Sequence, residues 1–178
     1  MNKDYLFVIP PSDTVLLQVS HCKLKAADII GQYRGMHTKA HLTVHYILNA
    51  NSLIVETALP AIKGKIEILP RATIGVNGFN YFQQGNNMTI YAAIKGSYQT
   101  DNWFHALTKC FGSCKIHVPY ITITRNITVN EFYRLWPQFK QLTYQDTFVA
   151  DRILVFEKDT LEEGKGYRQM DTLYFKNG

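Results

Sequence analysis

A histidine with a threonine two residues on, set in an apolar strand, places an acid–base group beside a hydrogen-bond donor, and the chain has one such unit at His41-Leu42-Thr43-Val44. A second strand, Tyr120-Ile121-Thr122-Ile123, repeats the spacing with tyrosine in the ring position. Strand side chains alternate faces, so His41, Thr43 and His45 are expected on one side and Leu42, Val44 and Tyr46 on the other. The same rule groups Tyr120, Thr122 and Thr124. If the two faces oppose each other, two rings and at least two hydroxyls converge on one cleft. That set suits a phosphodiester: hydroxyls donate to its non-bridging oxygens and an imidazole moves a proton near neutral pH.

The tyrosine limits the chemistry. An ordinary phenol, with a pKa of about 10, keeps its proton at neutral pH and can donate it, yet is a poor base. His41 as base with Tyr120 as acid is consistent; a cycle that needs two imidazoles is not. His45 is expected about 7 Å along the strand from His41, at the cleft edge, as a further substrate contact. His117 falls on the opposite face by strict alternation. Arg125 has two readings, a phosphate partner or the partner of a surface carboxylate. Tyr5, Phe7 and Tyr167 are rings that can stack on a base or fill the core.

The elements that must position these residues follow from pattern. An apolar, β-rich run from Tyr5 to Ile9 ends at a double proline and predicts a strand. A long helix follows, with Ser12 or Asp13 as N-cap and its exit near Gly31 or Gly35. After the His41 strand, Ser52 starts a helix expected to stop or kink at Pro60. Two strands meet at a Gly85-Asn86-Asn87 turn, with Gly75 and Gly78 marking a bend. Asp101 caps a helix that terminates at Gly112, the Tyr120 strand follows, and Thr128 caps a short helix broken near Pro137. Alternation over 144–159 and 166–176 predicts two long strands in a hairpin. This order lacks the regular alternation of a doubly wound sheet, so the expected class is α+β with a largely antiparallel sheet. Both ring-x-Thr strands follow a strand-plus-helix unit, an internal duplication.

At 178 residues and 46% hydrophobic, the chain is long enough for one ordinary domain or two small lobes sharing a core. A net charge of +5, carried by scattered basic residues, fits a phosphate-bearing ligand and also an ordinary solvated surface. Cys22, Cys110 and Cys114 lack the spacing of a zinc site and are expected as reduced thiols. There is no phosphate-binding or dinucleotide glycine motif. No stretch is apolar enough to span a membrane, and the opening residues, broken by Pro10 and Pro11, do not read as a signal peptide, so a cytoplasmic location is expected.

The paired strands resemble the two signatures of the two-histidine (2H) phosphoesterase superfamily, which includes cyclic nucleotide phosphodiesterases and the bacterial 2'-5' RNA ligase-like proteins. Each family signature is histidine, any residue, threonine or serine, then an apolar residue. His41-Leu42-Thr43-Val44 matches the first. The second is usually preceded by proline and followed by arginine, as Pro119 and Arg125 are here, but Tyr120 replaces its histidine. The resemblance covers nearly the whole chain and implies one bilobal domain over residues 1–178, with two mainly antiparallel sheets around a central cleft and helices outside. It implies one proton-accepting and one proton-donating ring, hydroxyls of Thr43 and Thr122 on the phosphate, no metal and no cofactor. The implied partner is a nucleotide or RNA terminus carrying a cyclic phosphate or a 2'-5' linkage, bound by a monomer. Three readings remain open: a phosphodiesterase, a binding module that has lost the chemistry with the histidine, and a protein that keeps only the fold.

Overall fold

The alternating burial of 2–9 builds the first strand, β1 (Asn2–Ile9), with Tyr5, Phe7 and Ile9 fully buried. In this computed structural model residues 1–113, 119–161 and 166–177 are described. Cys114 and His117, and most of the expected hairpin loop, lie outside them. Helix α1 (Asp13–Ile30) is capped by the Ser12 side chain, which accepts from the Val15 amide, and ends at Gly31, whose φ of 82° suits glycine. Strand β2 (Leu42–Asn51) leads into α2 (Ser52–Glu67), whose cap is Asn51 and not Ser52. Strands β3 (Ala72–Gln84) and β4 (Asn87–Ile94) pair across the expected turn, where Gly85 has a φ of 59°. Helix α3 (Tyr98–Cys110) is capped by Ser97 and not Asp101. Strand β5 (Tyr120–Thr128) runs into α4 (Val129–Gln141), where Thr128 and Glu131 form a capping box.

Two expected helix breaks do not occur. Pro60 and Pro137 both lie inside their helices. A proline in a helix costs about 3 kcal/mol through its lost N–H and ring clash. Buried neighbours offset this at about 1.5–3 kcal/mol each: Leu59 and Ile66 in α2, Leu135 and Phe139 in α4.

The expected long strand over 144–159 is two strands, β6 (Gln145–Ala150) and β7 (Arg152–Asp159). Burial falls on Phe148 and Ala150, then shifts phase to Ile153 and Val155. At Asp151 the chain passes from pairing with β3 to pairing with β1. Strand β8 (Arg168–Tyr174) then pairs antiparallel with β7, as expected of the final hairpin.

All strands join in one antiparallel sheet, ordered β6-β3-β4-β5-β2-β1-β7-β8, which remains open. Among the described residues its halves, β2-β1-β7-β8 and β5-β4-β3-β6, meet at one register pair, Leu42 with Ile121. Outward from this seam the order of elements is repeated: β1-α1-β2-α2 in one half corresponds to β4-α3-β5-α4 in the other. The internal duplication is thus topological, and both ring-x-Thr strands lie at the seam. Helices cover the face carrying Phe7, which meets Phe111 beyond α3, and Phe79, which meets Phe139 of α4. Among the described residues, no helix is long and apolar enough to cross a membrane.

Candidate functional site

Leu42 and Ile121 are both fully buried and face the helices. Their neighbours His41, Thr43, Tyr120 and Thr122, all half-buried, therefore point to the opposite face of the sheet. Extending the antiparallel register by one residue each way sets Thr43 toward Tyr120 and His41 toward Thr122. The four residues are brought together on one face by the Leu42–Ile121 pair at which the two halves meet.

His45 is not brought to that face. Leu42 pairs with Ile9 and Thr43 with Val8, but His45 pairs with Phe7, so Val44 is an extra residue in a β-bulge. The bulge reverses the alternation, and the imidazole of His45 lies against Phe7, with ring centroids 5.8 Å apart, and stacks on Phe111 at 4.6 Å. The same device recurs in β5: Ile121 pairs with Ala92, Thr122 with Tyr91 and Thr124 with Ile90, leaving Ile123 as the extra residue. Thr124, expected beside Thr122, is fully buried and its hydroxyl accepts from the Ile90 amide. Each unit thus presents one ring and one threonine, and the bulge turns the next polar residue inward.

The tautomer of His41 follows from its partner. Nδ1 lies 2.8 Å from the carbonyl of Lys39, which can only accept, so Nδ1 carries the hydrogen and Nε2 is the free base in the neutral ring. Burial pushes the pKa of His41 down, more strongly than its bond to Lys39 raises it, and the charges of Lys23 and Arg125 push the same way. This also locates Arg125: it is exposed, yet near enough for its charge to act on His41.

Tyr120 joins a ring cluster, with centroids 4.8 Å from Tyr91 and 5.4 Å from Phe82. These rings form an aromatic wall on the second half, while Val8 and Leu154 continue the Thr43 side across β1 and β7 in the first. Phe82 and Tyr91 were not singled out by the sequence pattern, because only register identifies them as neighbours of Tyr120. Tyr5 and Phe7, considered above for base stacking, are fully buried core residues, whereas Tyr167 is exposed. Lys23 was also missed, although its signal was present: a lysine within the buried stripe Val15, Val19, Cys22 and Ala26 of α1.

Two surface cavities lie elsewhere. One of about 300 Å³ is lined by residues including His21, Lys25 and Tyr144, and one of about 530 Å³ by residues including Lys3, Glu157 and Arg168. Neither contains a residue of the four, so the site is assigned by register and chemistry. Among the described residues, no group of three or more His, Cys, Asp or Glu side chains gathers.

Residues 12–161 match the family model described as the 2'-5' RNA ligase superfamily. Solved structures share the fold, three of them as follows. The structure of TT0787 from Thermus thermophilus has a TM-score of 0.72 at 12% identity, covering 99% of each chain. LigT from E. coli, complexed with ATP, has a TM-score of 0.68 at 14% identity and the same coverage. Usb1 from Kluyveromyces marxianus has 0.55 at 11% identity, covering 98% of each chain. No curated protein sequence matches the chain.

Proposed function

The chain belongs to the 2'-5' RNA ligase superfamily, and from that premise we propose that it is a phosphodiesterase acting on a cyclic phosphate or 2'-5' linkage of a nucleotide or RNA end. The observation that carries this reading is the Leu42–Ile121 pair, which turns His41, Thr43, Tyr120 and Thr122 to one face. Thr43 and Thr122 donate their hydroxyl hydrogens to the non-bridging oxygens of the phosphate. Nε2 of His41 takes a proton from water as its oxygen bonds to phosphorus. The bond from phosphorus to the leaving oxygen breaks, and the Tyr120 hydroxyl gives that oxygen its proton. Solvent then returns the imidazolium proton to the phenolate, so the sum is addition of water across one P–O bond. Arg125 supplies positive charge at the site's edge, and the wall of Tyr91 and Phe82 offers rings to a base. LigT has been crystallised with 3'-AMP and with ATP, which supports a nucleotide-bearing ligand here. The test is a screen of the purified chain against 2',3'-cyclic nucleotides and 2'-5' dinucleotides, in which turnover of neither class sinks the enzymatic reading.

A second reading is supported by the packing of Tyr120. Its ring is engaged by Tyr91 and Phe82, an arrangement suited to a site that holds nucleotide without turning it over. Both readings need the threonines. Thr43→Val or Thr122→Val should each weaken binding of a 3'-nucleotide by about 1.5–3 kcal/mol, the worth of one hydrogen bond to a charged group. Calorimetric titration measures this, and parental affinity in both variants would remove the phosphate from this face.

A further inference from the structure

The buried stripe of α1 contains one charge, Lys23, which is only 4% exposed. Its Nζ donates to the carbonyl of Thr38 at 2.6 Å and to that of Gly35 at 3.2 Å. The next peptide after Thr38 presents the Lys39 carbonyl, which receives Nδ1–H of His41. The fastening therefore lies one peptide from the group that orients the imidazole.

The same residue is tied to the other half of the site. The hydroxyl of Tyr33 lies 3.2 Å from the carbonyl of Lys23 and 3.1 Å from that of Ile123, the bulged residue next to Thr122. Among the described residues the β2–β5 seam shows one register pair, Leu42 with Ile121, and it lies beside His41. Lys23 and Tyr33 add a constraint from behind the sheet.

We propose that Lys23 is a positioning residue for His41: its ammonium fastens the loop that delivers the imidazole. The inference rests on the reading of His41 as the proton acceptor. The charged groups that act on His41 are Lys23 from α1 and Arg125 from β5, and both disfavour the imidazolium. Burial lowers the pKa of Lys23 to about 8, so the ammonium is the main form at neutral pH and its influence fades above that. A lysine retained only for volume has a different signature. An apolar side chain of similar length would fill its place without the cost of burying a charge, and His41 would titrate unchanged.

The test is the titration of His41 by NMR in the full chain, its signal identified by its loss in His41→Gln. In Lys23→Met the His41 pKa should rise, and in Lys23→Arg, which keeps the charge, it should stay near the parental value. The acid limb of kcat/KM on a 2',3'-cyclic nucleotide should move with it. An unchanged His41 titration in Lys23→Met with native circular dichroism overturns the proposal, and so does an equal rise in Lys23→Arg. If Lys23→Met does not fold, Lys23→Gln takes its place under the same criteria. The titration needs no turnover, so a protein inactive in every form counts against the phosphodiesterase reading, while the titration still decides the role of Lys23.

Discussion

His41→Gln is expected to lower turnover of a 2',3'-cyclic nucleotide by about 10²–10⁴-fold, the range a positioned general base contributes. Glutamine keeps a polar side chain but cannot take up a proton near neutral pH. Because Nδ1–H is held by the Lys39 carbonyl, the lone pair of Nε2 is the one available to an attacking water. Nucleotide affinity should change little, since Thr43, Thr122 and Arg125 remain. The pH profile adds a second check with a definite sign. Burial, reinforced by Lys23 and Arg125, lowers the His41 pKa, so the neutral base persists to lower pH than in an ordinary histidine. The acid limb of kcat/KM should therefore fall below about pH 6.5, the ordinary histidine value. Parental rates in His41→Gln, or a limb well above that value, would remove His41 from the role of base.

Tyr120 decides between the two functional readings, and two variants measured side by side separate them. If Tyr120 donates the proton, Tyr120→Phe should cut turnover by about 10²–10⁴-fold while leaving nucleotide binding intact. The ring stays packed against Tyr91 and Phe82, and only the hydroxyl is lost. If the site only binds, Tyr120→Phe changes nothing and Tyr120→His creates activity, because an imidazole then stands in each of the duplicated positions. A loss in Tyr120→Phe supports an enzyme, and a gain confined to Tyr120→His supports a binding protein. Silence in every variant, with no nucleotide bound, leaves only the fold.

That His41, Thr43, Tyr120 and Thr122 turn away from the core follows from the strand pattern, while their meeting depends on the Leu42–Ile121 pairing. Leu42 and Ile121 are apolar residues flanked by ring and hydroxyl side chains, and burying them on one face exposes those flanking groups on the other. The helix starts at Ser12 and Thr128 were legible for a similar reason, since a side-chain oxygen satisfies amides within three residues of itself. Where two capping residues stood close together the choice went astray: Asn51 and Ser97 cap where Ser52 and Asp101 were expected.

By itself, then, the sequence determined the α+β class, most element positions, the duplicated ring-x-Thr strands and the family they resemble. These depend on periodicity and on contacts within a few residues. Tertiary structure alone decided which polar residues share a face beyond the first turn of the pleat. The bulges at Val44 and Ile123 arise from pairing with β1 and β4, so nothing in HLTVH announces that His45 turns inward to Phe7 and Phe111. Pro60 and Pro137 stay helical because packing on the core outweighs their local cost, and the chain divides at Asp151 because its two sides pair in different halves of the sheet. Lys23 reaches the site by the same route. Its link to His41 passes through the carbonyls of a loop more than a helical turn away in sequence, a contact that local pattern does not encode and only the folded chain makes.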